Sequence, residues 1–137
     1  MALAPVTLIS LLFHGLIAWR LLPDLPSSLG LFMGGLLLLS ALLVPKGLMG
    51  RGAQAGVWNA ALVWAGLLCM GGFSSLLVLT LLRDGVLFLA WGAQAAGLVL
   101  DLAALRHHSA LAVPLLALPM TVLGFWNARR TAAAVRV

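Results

Sequence analysis

The sequence has 137 residues, of which 64% are hydrophobic and 8% are charged, and its mean hydropathy is +1.16. A soluble domain carries about 25% charged residues, so this composition excludes a water-soluble fold. Eight Lys and Arg residues against three acidic residues give a net charge of +5. The basic residues lie in short breaks between apolar runs, as in membrane proteins, and do not form the basic, aromatic-rich face of a nucleic-acid-binding protein. We therefore expect a protein whose partner is the lipid bilayer and which binds no nucleic acid.

Two apolar segments at the start of the chain predict an antiparallel pair of membrane-spanning helices. The first covers residues 3–22, and we expect Trp19 and Arg20 near its end to lie at the headgroup level. The second runs from about residue 27 to residue 44 and is predicted to end before Pro45, because proline disfavours the helical conformation of the residue before it.

Gly30 and Gly34 lie four residues apart in the second predicted helix. This spacing places both glycines on one helix face, where another helix can approach closely. It predicts a helix-packing contact, within the chain or with a partner helix or a second copy. A general packing contact is favoured over a dedicated dimer motif, because glycine is common in membrane helices.

The middle of the chain predicts a loop followed by a long span. Residues 45–56 contain one Lys, one Arg and four glycines, which indicates a flexible basic loop. Residues 57–82 carry no charge and exceed the roughly 20 residues that a helix needs to cross a hydrocarbon core about 30 Å thick. Arg83 and Asp84 could each pair with a residue elsewhere in the chain, but we expect them to end this helix at the membrane–water boundary, where such charges are common.

The last third of the chain leaves the number of spans open. Residues 85–100 are uncharged but short for a span, and they predict either a fourth crossing, extended through residue 105, or an amphipathic helix in the interface. A final apolar segment covers residues 109–128, with two prolines that would kink it and Trp126 as an interface anchor. The fold class is therefore all-α, a membrane helix bundle of four or five spans.

The basic residues also predict an orientation. Arg129 and Arg130 follow the last apolar segment. With four spans or with five, five basic residues share the side of this tail and three lie on the other side. Because cytoplasmic loops carry the excess of Lys and Arg, we expect the C-terminus in the cytoplasm.

Few residues are candidates for chemistry. His14 is the only histidine inside a predicted span, and it is a candidate haem ligand or proton carrier, but no carboxylate lies in the same helix. We expect it to be a neutral, hydrogen-bonded histidine at a helix interface. His107 and His108 are adjacent and would point about 100° apart on a helix, so they cannot both face one metal ion. The three acidic residues lie in separate boundary regions, and they predict neither an acid–base pair nor a metal cluster.

Three stretches occur in an order that resembles a known family: His14 with Trp19-Arg20-Leu21-Leu22-Pro23, then Leu79-Thr80-Leu81-Leu82-Arg83-Asp84, then Gly124-Phe125-Trp126-Asn127-Ala128-Arg129-Arg130. From about residue 10 onwards the chain resembles the N-terminal membrane region of bacterial transmembrane metallophosphoesterases. The resemblance implies that residues 1–128 are a transmembrane domain. It also implies that residues 129–137 are a basic tail leading to a calcineurin-like phosphoesterase domain with two divalent metal ions.

The family's metal-binding motifs, Asp-x-His, Gly-Asp and Gly-Asn-His, do not occur in this sequence. No catalytic or metal-binding residue is therefore transferred to it, and no cofactor is expected in this chain. The resemblance implies a non-catalytic anchor in the bacterial inner membrane. The alternative is a self-contained small membrane protein, a transporter subunit or a helical scaffold, suggested by His14, Asp101 and the Gly30 and Gly34 face.

Overall fold

The computed structural model describes residues 3–49 and 56–134, with side chains for 4–49 and 56–130. Within these ranges the chain is an all-α bundle of four long helices and contains no strand, as predicted. The helices are α1 (Leu3–Leu21), α2 (Ser27–Met49), α3 (Val57–Ala95) and α4 (Leu102–Ala134), with a 3₁₀ turn, Leu22–Asp24, after α1. All four are long and apolar enough to span a membrane, and the described residues contain no fifth helix of this kind, which favours four spans over five.

The antiparallel pair α1 and α2 forms around the 3₁₀ turn, and the two predicted packing glycines of α2 face that turn. A Cβ added to Gly34 would lie 3.1 Å from Cδ2 of Leu22, and one added to Gly30 would lie 3.5 Å from the Leu22 carbonyl oxygen. The 3₁₀ turn that connects α1 to α2 therefore packs against the glycine face of α2.

The second helix does not end before Pro45, and this prediction was wrong. Pro45 is fully buried inside α2, which continues to Met49, so only residues 50–55 of the predicted loop lie outside the described residues. The continuation brings Gly47 against Gly66 of α3. A Cβ on Gly66 would lie 2.7 Å from the Gly47 Cα and 2.4 Å from the Leu43 carbonyl oxygen. Membrane helices tolerate proline when neighbouring groups compensate for the lost hydrogen bond, and here close packing on α3 favours the longer helix.

The third helix continues through Arg83 and Asp84, so the prediction that they end it was also wrong. Its 39 residues correspond to a length of about 58 Å. The helix ends at Ala95, Gly97 beyond it has a φ of +95°, and the amide of Leu98 donates to the Ala93 carbonyl over 3.1 Å. This is a Schellman motif. Residues 85–95 therefore belong to α3, and the segment 85–100 is neither a separate crossing nor an interfacial helix.

The fourth helix begins after Asp101, whose carboxylate accepts a 2.9 Å hydrogen bond from the Ala104 amide. It runs without interruption through both prolines to Ala134, so the first residues of the predicted tail are helical. The central helix α3 contacts α1, α2 and α4. The buried apolar cluster of the bundle consists of Ile17, Leu21, Leu25, Leu37, Ala110 and Val113.

Candidate functional site

A buried arginine connects the helices near one end of the bundle. The Arg83 side chain is 3% exposed and forms an ion pair with Asp24 at the end of the 3₁₀ turn. Its Nε donates to Ser109 Oγ over 3.0 Å, and its Nη1 donates to the Arg20 carbonyl over 2.9 Å. Its Nη2 also donates to the Arg106 carbonyl over 3.2 Å. One side chain thus binds the end of α1, the turn before α2 and the first part of α4.

The neighbouring residue Asp84 completes this network. Its carboxylate lies 3.4 Å from Nη1 of Arg20 and 3.9 Å from Nη1 of Arg83. Two carboxylates therefore neutralise two arginines. Several charged residues lie where the helices meet, and we call this set the Arg83 layer. It consists of Arg20, Asp24, Arg83, Asp84 and Arg106. An unpaired charge in an apolar environment costs several kcal/mol, and this pairing removes that cost for Arg83.

The predicted interface residues lie at the two ends of the bundle, except that Arg83 is buried. On α2, the 19-residue separation of Ser27 and Lys46 corresponds to about 28 Å, close to the thickness of one hydrocarbon core. Trp19, at the Arg83 layer, is 76% exposed. Trp126, at the opposite end, is 57% exposed, and it packs under the Arg130 guanidinium at 5.1 Å.

The same end of α4 carries a second cation–π contact. The Arg129 guanidinium lies 5.4 Å from the centre of the Phe125 ring. A guanidinium over an aromatic ring is attracted to the electron-rich face of the ring. Two charged ends thus enclose one apolar core of the bundle.

A second polar cluster lies deep in the bundle around His14. The Nδ1 of His14 lies 2.7 Å from the Ser10 carbonyl oxygen, and Nε2 lies 2.9 Å from Ser40 Oγ on α2. The ring stacks on Phe73 of α3, with the ring centres 4.2 Å apart. A carbonyl can only accept, so we assign the proton to Nδ1, and the Ser40 hydroxyl then donates to Nε2 of the neutral ring. The predicted hydrogen-bonded histidine at a helix interface is confirmed.

The hydrogen bonds of His14 also bear on the haem and metal interpretations. Both ring nitrogens have partners, so neither is available as a ligand in this arrangement.

The other two histidines lie side by side at the start of α4. Nδ1 of His107 lies 3.1 Å from the Asp24 carbonyl oxygen, and its ring stands edge-on to that of His108 at 5.7 Å. Among the described residues, no group of three or more His, Cys, Asp or Glu side chains is placed to hold a metal ion.

A cleft of about 670 Å³ opens beside the Arg83 layer. It is lined by charged residues of the layer and by apolar residues from the end of α1, the 3₁₀ turn, the last turns of α3 and the start of α4. The lining residues are Trp19, Arg20, Pro23, Asp24, Arg83, Asp84, Leu87, Phe88, Trp91, Leu102, Ala103 and Arg106. Such a mixture of charge and apolar surface can bind an amphiphilic molecule.

Several partners in these clusters were not predicted. Ser10 and His14 lie four residues apart on α1, a spacing that places them on one helix face, so this pair had a local signal. The contact of His14 with Ser40 and the ion pair of Arg83 with Asp24 join distant parts of the chain, and the sequence contains no local signal for them.

Comparison of the chain with protein-family models, with curated proteins and with solved structures found no match. The resemblance to the membrane region of metallophosphoesterases therefore stays a prediction. The geometry itself supports a multi-pass membrane protein whose intramembrane polar side chains join helices to one another.

Proposed function

We propose that this chain is an integral membrane anchor whose helices are held together by internally paired polar groups, and that it is not itself catalytic. The observation that carries the proposal is the Arg83 layer, in which one buried side chain binds three other parts of the bundle. A catalytic or transport site needs polar groups directed at a substrate. Within the described residues, every buried side-chain nitrogen and oxygen has a hydrogen-bond partner in the protein. The buried polar groups therefore hold the helices together, as expected of a structural anchor.

The domain that we propose it anchors is a calcineurin-like metal-dependent phosphoesterase. Two of the stretches that carry the resemblance contribute to distinct contacts: Arg83 and Asp84 belong to the Arg83 layer, and Arg129 and Arg130 stack on aromatic rings near the end of α4. The two divalent metal ions would belong to that other domain. The bacterial inner membrane is the location that the resemblance implies, and the distribution of basic residues supports a cytoplasmic C-terminus.

Two measurements test the anchor proposal. The first is the DNA sequence after codon 137, where an in-frame continuation that contains Asp-x-His is expected. The second uses the purified chain of 137 residues, loaded with Mn²⁺ and assayed with a generic phosphodiester. We expect no hydrolysis, and hydrolysis above the metal-only background would refute a non-catalytic anchor.

The second candidate is a self-contained small membrane protein, a transporter subunit or a helical scaffold. The cleft of about 670 Å³ beside the Arg83 layer favours it, because a simple anchor does not require a cavity. A stop codon directly after codon 137 would decide for this candidate and against the phosphoesterase anchor.

A further inference from the structure

The cleft beside the Arg83 layer contains one more positive charge than negative charge. Three arginines and two aspartates line it. Both carboxylates are engaged: Asp24 by Arg83, and Asp84 by Arg20 at 3.4 Å. The cleft therefore has a net charge of +1 and no carboxylate that is free of an arginine.

Arg106 supplies the remaining charge. Its backbone carbonyl accepts hydrogen bonds from Arg83 and Ser109, which hold the first turns of α4 in place. Its guanidinium is exposed and lines the cleft. It makes no hydrogen bond, ion pair or ring contact with any residue that the structure describes. All the donors of this guanidinium are available to a ligand.

Part of the cleft lining is apolar and aromatic. It is formed by the last turns of α3, where Phe88 is 70% exposed and Trp91 is 61% exposed. Their ring centres lie 6.3 Å apart, and Leu87 and Leu102 extend the surface. These side chains line the same cleft as the three arginines, so a ligand that matches the cleft has an anionic group with apolar atoms beside it.

We propose that this cleft binds a phosphate group that carries an apolar substituent, as an anionic phospholipid does. The phosphate pairs with Arg106, and the acyl chains extend from it towards the hydrocarbon core. Phe88 and Trp91 follow Arg83 on α3 and flank the headgroup on the water side of the layer, as interface aromatics do. Arginine donates to phosphate through two parallel hydrogen bonds, and Arg20 lies in the same cleft. A zwitterionic lipid is disfavoured because its cationic headgroup would meet the surplus positive charge while both carboxylates are already paired.

The position of the cleft favours a phospholipid headgroup as the source of this phosphate. The Arg83 layer lies about one hydrocarbon thickness from the other charged end of the bundle, which is the level of phospholipid headgroups. The second source of the same chemistry is free phosphate from solution. The inference requires only that the chain is embedded in a membrane, and it holds whether or not the chain anchors a phosphoesterase.

The main experiment is native mass spectrometry of the full chain in mild detergent with equal amounts of phosphatidylglycerol and phosphatidylcholine. We expect the chain to retain more phosphatidylglycerol than phosphatidylcholine. We expect Arg106→Gln to lower this retention about tenfold, which corresponds to about 1.4 kcal/mol. The matched control is Arg129→Gln, which removes an exposed arginine at the opposite end of the bundle and should leave the preference unchanged.

Equal retention of phosphatidylglycerol by the wild-type chain and Arg106→Gln would overturn the proposal. An equal loss in Arg106→Gln and Arg129→Gln would also overturn it, because general surface charge would then explain the preference. A further arm adds inorganic phosphate to the chain in phosphatidylcholine vesicles and follows tryptophan fluorescence. A saturable change that Arg106→Gln abolishes would support the phosphate site and identify free phosphate as a source.

A second measurement needs no variant and so does not depend on the folding of Arg106→Gln. Trp19 lines the cleft at the level of the layer, so its fluorescence reports a bound lipid that carries bromine on the acyl carbons nearest the headgroup. Brominated phosphatidylglycerol, at a low mole fraction in a phosphatidylcholine bilayer, is expected to quench more strongly than brominated phosphatidylcholine at the same fraction. Equal quenching by the two lipids would count against a selective site.

Discussion

Arg83 on α3 and Asp24 in the 3₁₀ turn form an ion pair between residues 59 positions apart in the sequence. The pair joins the central helix to the first hairpin, and the Ser109 and Arg106 contacts of the same guanidinium extend the connection to α4. Removal of one partner from a buried ion pair leaves the other charge uncompensated, which is more costly than the loss of an exposed pair.

The first prediction concerns Arg83→Gln. We expect this variant to lose about 3 kcal/mol of unfolding free energy, because Asp24 becomes an unpaired charge and two carbonyls lose their donor. The measurement is unfolding of the purified chain in detergent micelles, followed by circular dichroism. Arg129→Gln serves as the control, since Arg129 is exposed and contacts Phe125. If both variants unfold with the same free energy as the wild-type chain, the Arg83 layer does not stabilise the bundle.

The second prediction concerns the contact of α2 with α3. A methyl group on Gly66 would lie 2.4 Å from the Leu43 carbonyl oxygen, so Gly66→Ala should force the helices apart and destabilise the chain. Gly85→Ala on the same helix is the matched control, because a Cβ there has no atom within 4 Å among its described neighbours. The control should be neutral or up to about 1 kcal/mol more stable, since alanine favours helix over glycine. Equal thermal unfolding temperatures for the two variants would contradict the close crossing.

The third prediction separates the hydrogen bonds of His14 from its ring contact with Phe73. His14→Phe keeps an aromatic ring for stacking and loses the two hydrogen bonds, so we expect a loss of about 1 kcal/mol, within the range of polar contacts in membrane bundles. His14→Ala also removes the buried ring and should cost about 3 kcal/mol.

The partner residue provides a check on this assignment. Ser40 lies 2.9 Å from the His14 ring, so the effects of His14→Phe and Ser40→Ala on the unfolding free energy should not add in the double variant. Additive effects would mean that the two side chains do not interact in the folded chain.

The fourth prediction concerns the orientation in the membrane. Four spans place the connection at residues 96–101 on the side opposite to the end of α4, and the basic residues put that end in the cytoplasm. In a Cys69→Ser background, cysteine at Ala96 should react with a membrane-impermeant maleimide added to intact cells with a permeable outer membrane. A fluorescent protein fused after residue 137 should fold and fluoresce. Labelling at Ala96 only after lysis would reverse the assignment.

The ends of the helices could be predicted where a local sequence signal, such as an interface residue or a capping serine, coincides with the end of a helix in the structure. Trp19 and Arg20 lie at the end of α1, and α2 begins at Ser27 as expected. Prediction failed where tertiary contacts outweighed a local signal. Pro45 remains inside α2 as the helix continues to the glycine crossing, and Arg83 remains inside α3 because Asp24 compensates its charge.

The candidate site shows the same division. The contact of Ser10 with His14 spans four residues and follows from helix geometry alone. The partners of Arg83 are two main-chain carbonyls, a serine and an aspartate from three other elements. Neither the position of a carbonyl nor the meeting of elements 59 residues apart is determined by local sequence, and both depend on how the helices pack.

The order in which the partners of Arg83 are synthesised has a consequence for membrane insertion. Asp24 and the Arg20 carbonyl precede Arg83 in the chain, whereas Arg106 and Ser109 follow it. A completed α1–α2 hairpin can therefore accept the charge of Arg83 while α3 leaves the translocon, before α4 exists. The last helix then supplies the remaining acceptors, so a partner for the Arg83 charge is present in the chain both before and after α4 is synthesised.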